Sequence, residues 1–194
     1  MELRVDGKVA IITGADSGIG RGIALRLAES GADVMVCYYT DREGAEQTAA
    51  DCRAFGRRAG IAQGDVGDPE TVQRIFRQLD TDFGRVDILV NNAGIGITED
   101  IVDQPFQDFE RVIRTNLFGP WLFIQQAGRR MISRNEGGRI INITSVHEEA
   151  CTPGASGYNC SKAGLRNLTR TAAGELGPYG ITVNTIAPGM IITP

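Results

Sequence analysis

The feature that most constrains this chain is a strict alternation of two kinds of segment. Short runs rich in Val and Ile (Val9–Thr13, Val34–Tyr38, Gly60–Gly64, Ile88–Asn91, Arg139–Thr144, Thr182–Ile186) are separated by stretches of helical periodicity. Runs of this kind read as strands buried on both faces. Between them, Ile19, Ile23 and Leu27 recur at i, i+4 and i+8, and Gly31 follows as a stop signal. Arg42–Phe55, Pro69–Phe83 and Phe106–Ser133 are predicted as further helices, and a last one starts within 154–157 and ends before Gly177-Pro178. Asp68-Pro69 joins a capping residue to a first-turn proline. A bend or break is expected near Gly119-Pro120, because proline brings no N–H to the helix. Strands alternating with crossover helices imply a parallel sheet covered on both sides. The predicted fold class is therefore α/β, a doubly wound parallel sheet in three αβα layers, as one domain over residues 1–194.

Composition sets the outer limits. A chain of 194 residues fits one core, and a core of this size buries about 70% of the surface its unfolded chain exposes. The formal net charge of -4 argues against nucleic acid or an anionic membrane as partner, so any bound phosphate must be held locally. Cys37, Cys52, Cys151 and Cys160 form no C-x-x-C pair, and there is one histidine, so no metal site is expected. No run approaches 18 apolar residues, and the first residues carry no hydrophobic signal core. A cytoplasmic protein with reduced thiols is expected.

Function should concentrate at the carboxyl ends of the strands, where the crevice of such a sheet lies. The first strand runs straight into Thr13-Gly14-Ala15-Asp16-Ser17-Gly18-Ile19-Gly20, which opens the first helix. Glycines there allow a tight turn and close approach of backbone to a pyrophosphate, and the helix start offers N–H donors and a positive dipole end. A glycine motif alone is weak evidence; its place between a strand and a helix is the supporting context for a Rossmann-type site. Farther on, Tyr158 and Lys162 stand four residues apart, in a chain with only two lysines. On a helix the two side chains share a face, and a cation beside a phenol draws its pKa down from about 10 toward the working range of a base. Ser145 ends the fifth strand, where its hydroxyl can bond a substrate oxygen.

The T-G-x-x-x-G-x-G spacing, Asn91-Asn92-Ala93-Gly94, and the Ser145, Tyr158, Lys162 set resemble the short-chain dehydrogenase/reductase family along the whole chain. The resemblance implies hydride transfer between C4 of a nicotinamide and a carbinol or carbonyl carbon. Tyr158 would exchange the proton, Ser145 orient the oxygen, and Lys162 tune Tyr158 and bind the nicotinamide ribose. It also assigns a catalytic role to Asn116, through a water held for proton relay. Cofactor contacts are implied for Thr13, Gly14, Ser17, Gly18, Ile19, Gly20, Tyr39, Asp65, Val66, Asn92, Ala93, Gly94, Pro188, Gly189 and Thr193. Read alone, Asp65 would equally be a helix cap. The second strand ends in Cys37-Tyr38-Tyr39-Thr40 without a carboxylate, so NADP(H) is expected ahead of NAD(H); against it, Asp16 is negative in the glycine loop and the nearest candidate cation is Arg42.

Ser145-Val-His-Glu148 is similar to the bacterial glucose 1-dehydrogenases, which makes His147 a substrate-binding candidate and a sugar the expected substrate. His147 as a loop residue bonding backbone is the plainer reading. A departure counts against the sugar: those enzymes carry an acidic residue where this chain has Gly96. A non-sugar alcohol, ketone or aldehyde is the alternative, and a cofactor-binding protein without turnover is the rival from another class. The resemblance further implies a homotetramer, with apolar surface from Leu117, Phe118, Trp121, Leu122 and Phe123 unless these are core. It also implies a substrate lid and a last strand that would follow Pro194.

Overall fold

The computed structural model describes residues 4–191. In chain order the elements are β1 (Val9–Thr13), α1 (Gly18–Glu29), β2 (Asp33–Tyr38), α2 (Arg42–Ala54), β3 (Ala59–Gln63), α3 (Pro69–Phe83) and β4 (Ile88–Asn91). Then come α4 (Phe106–Ile113), α5 (Gly119–Arg134), β5 (Gly138–Ile143), α6 (Ser156–Leu176) and β6 (Ile181–Ile186). The strands form one sheet in the order β3-β2-β1-β4-β5-β6, and every neighbouring pair is parallel. This is the doubly wound α/β architecture, with its order reversing between β1 and β4.

β1, β2 and β4 are buried along their whole length, which is why their sequences read as unbroken apolar runs. Alternate residues serve opposite faces. Ile11, Met35 and Leu89 face a core shared with Phe76 of α3, and with Phe123 and Met131 of α5. Ala10, Ile12, Val34 and Val36 face a second core closed by Ala24 and Ala28 of α1 and Ala45 and Ala49 of α2. Phe123 is therefore core, fully buried and 5.4 Å centroid-to-centroid from Phe76, whereas Phe118 and Trp121 are about half exposed. The expected apolar outer surface is thus smaller than the sequence suggested.

Two boundaries differ instructively from expectation. β2 begins at Asp33, one residue earlier than the apolar run, because its N–H bonds Lys8 O while its carboxylate is held by Arg57 and Arg58. The helix expected to continue through 106–133 is interrupted before Gly119-Pro120 by a π-helical stretch, Arg114–Phe118. Pro120 has no N–H to give the carbonyl of Asn116, and the Gly119 N–H reaches back to Arg114 O. Among the described residues no helix is long and apolar enough to cross a membrane.

The amino-terminal edge of the sheet is tied by a buried carboxylate. Asp87 accepts from the Val9 N–H at 2.9 Å, from Arg85 at 2.7 and 2.8 Å and from Arg134 at 2.7 Å. Burial works against its charge, but the bonds from Arg85 and Val9 and the Arg134 guanidinium outweigh that and hold the carboxyl below its ordinary range. Asp87→Asn leaves two arginines facing a neutral amide, so the expected loss is about 3 kcal/mol of unfolding free energy. Urea titration should show a lower midpoint with an unchanged slope; an unshifted midpoint would refute this account.

Candidate active site

Reversal of strand order leaves a cleft of about 540 Å³ at the carboxyl ends of β1, β2 and β4. Its floor is fixed by a reciprocal latch. Thr13 Oγ1 accepts from the N–H groups of Asn92 and Ala93, both at 3.0 Å, while Asn92 Nδ2 donates to Thr13 O and Gly14 O at 2.9 and 2.8 Å. Gly14 has φ +61°, and a Cβ there would lie 3.0 Å from Ala93 Cα. A Cβ on Gly20 would lie 2.1 Å from Gly14 O, so no side chain fits. Ser17 makes no capping bond to α1; the first-turn N–H groups stay available, as a pyrophosphate requires. These residues fit a dinucleotide.

Gly14, Ser17, Gly18, Ile19, Tyr39, Asp65, Val66, Asn92, Ala93 and Gly94 all line the cleft. Thr13 and Gly20 do not; they are buried beneath it and shape it. Pro188 and Gly189 lie off the lining as well, and the Pro188 carbonyl accepts from Val146 N–H at 3.1 Å. Thr193 lies outside the described residues. Asp65 is not the helix cap: Asp68 caps α3 through the Thr71 N–H, while Asp65 accepts from Gly67 N–H at 2.8 Å. Arg42 does not face the cleft and lies 3.7 Å from Glu46.

Other lining residues escaped the sequence reading: Asp16, Cys37, Tyr38, Thr40, Gly64, Ile95, Arg111, Thr115 and Ile191. The last residues of β2 and the first after β3 were recoverable from the rule that ligands lie beyond strand ends. Arg111 and Thr115, one turn apart on the helix leading to Asn116, carried no comparable signal. Cys37 is fully buried, and that burial pushes its thiol far above the ordinary range.

The far end of the cleft adjoins a second group of side chains. A Cβ on Gly94 would lie 3.3 Å from Asn116 Oδ1 and 3.5 Å from Lys162 Nζ. Lys162 is almost completely buried, and its Nζ donates to Ile143 O at 2.9 Å while standing 5.5 Å from the centre of the Tyr158 ring. Burial lowers its pKa to about 8. The ammonium is thus beside the phenol ring but anchored to the end of β5. Asn116 is wholly buried, and its amide is fully engaged: Nδ2 donates to Ile95 O and Ser161 Oγ, and Oδ1 accepts from Ile95 N–H.

Ser145 Oγ accepts from the His147 N–H at 3.2 Å, which leaves the hydroxyl hydrogen free to donate. The His147 ring meets Tyr158 edge to face at 5.9 Å, and its Nδ1 lies 2.9 Å from Ala150 O. A backbone bond and a place beside Tyr158 therefore hold together for this residue. Glu148, grouped with His147 in the sequence reading, instead pairs with Arg166. A Cβ on Gly96 would touch the Tyr158 ring at 3.7 Å, so its absence leaves room beside the phenol.

A dinucleotide cradle opening onto a tyrosine, a lysine and a serine defines a nicotinamide-dependent oxidoreductase. Residues 8–194 match the short chain dehydrogenase family, and the chain belongs to that family. It is 42% identical over 187 residues to the uncharacterized oxidoreductase YohF of Escherichia coli, covering 96% of this chain and 74% of that protein. It is 41% identical over 186 residues to the 3-oxoacyl-[acyl-carrier-protein] reductase FabG of Staphylococcus aureus, covering 96% and 75%. Among solved structures, the acetoin dehydrogenase YohF of Salmonella typhimurium superposes with a TM-score of 0.93 at 44% identity, covering 96% of this chain and 74% of that one. An NAD+-bound xylitol dehydrogenase gives a TM-score of 0.90 at 38% identity, covering 95% and 70%.

The buried lysine has a measurable proton linkage. Below about pH 8 the folded protein carries the whole cost of the enclosed charge. As pH rises from about 8 toward the unfolded-state value of 10.5, the folded state sheds this proton first and the cost is relieved. Relative to Lys162→Met, the unsubstituted protein should gain on the order of 3 kcal/mol of unfolding free energy across that window. Denaturant titrations of both proteins at about pH 7 and about pH 10 test this; parallel pH dependences would contradict it.

Proposed function

We propose that the chain transfers a hydride between NADP(H), with NAD(H) also accepted, and a carbinol or carbonyl carbon whose neighbour carries a second oxygen, as in a sugar, polyol or hydroxyketone. The observation that carries this reading is the gathering of Ser145, His147, Tyr158 and Lys162 beside Gly94 at the end of the cleft. The nicotinamide, when bound, supplies the hydride acceptor or donor at its C4. The chain's own residues handle the proton and the geometry. Tyr158 Oη takes the hydroxyl proton during oxidation and returns it during reduction. Ser145 Oγ donates to the same substrate oxygen. Lys162 keeps a positive charge beside the Tyr158 ring. With the Asn116 amide occupied, its main-chain carbonyl, deprived of an i+4 donor by Pro120, is the group we assign to proton relay.

His147 gives the reading its substrate class. Nδ1 lies 2.9 Å from Ala150 O and 3.2 Å from Thr152 Oγ1; the carbonyl can only accept and the hydroxyl can accept as well, so we assign the hydrogen to Nδ1, which makes Nε2 an acceptor for a second substrate hydroxyl. Acetoin and xylitol, named in two of the solved relatives, both bear oxygens on adjacent carbons. Glucose belongs to the same class. For the cofactor, the end of β2 presents Tyr39 and Thr40, and the next carboxylate along the chain, Asp41, caps α2 through Gly44 N–H. A strand end without a carboxylate favours the extra phosphate of NADP(H), while Asp16 of the glycine turn, which also lines the cleft, opposes it and supports use of NAD(H) as well. Reduction of a simple ketone is the second reading, favoured by Ile101 and Val102, which are 77% and 86% exposed in the loop after β4. For assembly we propose a homotetramer through the outer faces of α5 and α6, where Trp121 borders a groove.

Initial rates with sugars, polyols, hydroxyketones and simple ketones, each with both cofactors, test the assignment. Vicinal oxygenated substrates should be turned over fastest. Tyr158→Phe should lower kcat by about a thousandfold while cofactor fluorescence titrates as before. Cofactor binding by the unsubstituted protein without reduction of any substrate would support a sensor or assembly subunit instead.

A further inference from the structure

Tyr158, Lys162 and Arg166 stand at i, i+4 and i+8 of α6, on one face of the helix. The first two belong to the proposed reaction, and the third has no part in it so far. Its Nε lies 3.3 Å from Glu148 Oε1 and its Nη1 2.5 Å from Glu149 Oε1. Glu148 ends a single 3-10 turn, Val146–Glu148, which Ser145 caps and in which His147 is the middle residue.

So short a turn has little stability of its own. Its backbone bonds are Glu148 N–H to Ser145 O at 2.9 Å and, shared on Val146 O, Glu149 N–H at 3.2 Å and Ala150 N–H at 3.0 Å. One outside tether is Val146 N–H to Pro188 O, and Arg166 supplies another from the opposite side. The Glu148 side chain is only 12% exposed and that of Arg166 30%, so water screens this pair less than a surface pair. Among the described residues the second oxygen of Glu148 is buried and unbonded, which leaves Arg166 to balance its charge. Removing that cation leaves two adjacent carboxylates, one of them largely enclosed, and Glu148 must turn toward water. The two partners of His147 Nδ1, Ala150 O and Thr152 Oγ1, lie two and four residues beyond Glu148 on the same stretch.

We propose that Arg166 is a positioning residue: its ion pairs with Glu148 and Glu149 hold the turn that presents His147, Nε2 outward as an acceptor, beside Tyr158. The catalytic meaning of this device rests on the proposed reaction, but its existence does not. His147 is the one histidine in the chain, so nitrogen NMR of labelled histidine reads its ring without overlap. The unsubstituted protein should show hydrogen on Nδ1. Arg166→Met and Glu148→Gln should move the ring toward the Nε2–H form that free imidazole favours, and kcat/KM for a vicinal substrate should fall about tenfold or more. Cofactor affinity should stay unchanged, and Arg166→Lys should restore most of the turnover and the Nδ1–H signal. A ring signal unmoved in Arg166→Met overturns the proposal whatever the turnover. So does a loss of cofactor affinity in step with turnover, which would mark general destabilisation. Failure of the underlying reaction looks different: no hydride transfer by the unsubstituted protein, with a ring that still responds to Arg166→Met.

Discussion

The whole site depends on one interaction, the exchange of hydrogen bonds between Thr13 and Asn92 at the ends of β1 and β4. These residues are 79 positions apart in sequence and meet where the strand order reverses. At that point no strand covers the crevice, and backbone groups leaving the sheet would otherwise lack partners. The latch satisfies four of these contacts with two side chains. It also sets how far apart the glycine turn and the Asn92–Gly94 strand exit stand. The absence of Cβ atoms at Gly14 and Gly20 is meaningful only because those walls are fixed.

A second chain of polar contacts carries that rigidity to the reactive end. Asn91 Nδ2 donates to Asn142 Oδ1, Asn142 Nδ2 to Thr169 Oγ1, and Thr169 Oγ1 to Leu165 O, each at 2.8 Å. This buried line runs from β4 through β5 into α6. Lys162, bonded to Ile143 O, ties the same helix to the same strand nearer the cleft. Buried polar groups are costly unless every one is satisfied, and here their pairing specifies one setting of α6 against the sheet. The aromatic ring of Tyr158 inherits its position from that setting.

Much of this was legible in the sequence because it rests on local rules. Buried parallel strands announce themselves as short Val/Ile runs, and the Asp68-Pro69 start of α3 follows from capping chemistry. The Tyr158–Lys162 spacing translates directly into a shared helix face. What was not legible depends on contacts between distant segments. Nothing at Glu148 signals that its partner is Arg166, and nothing at Phe123 separates it from its exposed neighbours Phe118 and Trp121. Asn116 looked like a group free to hold a ligand; only the folded chain places Ile95 across its amide. For Gly20, the close packing of α1 on Gly14 is visible only in the folded chain.

The π-helical stretch Arg114–Phe118 sets the phase between the two helices that flank it. An i→i+5 bond amounts to one residue added to an otherwise regular helix, and each such residue advances the helical phase by about 100°. Deleting one residue in this stretch would remove the extra residue while leaving Pro120 to interrupt the ladder. It would also rotate either Asn116 away from Ile95 or Phe123 out of the core. The irregular geometry thus lets Asn116 meet Ile95 and Phe123 enter the core at once.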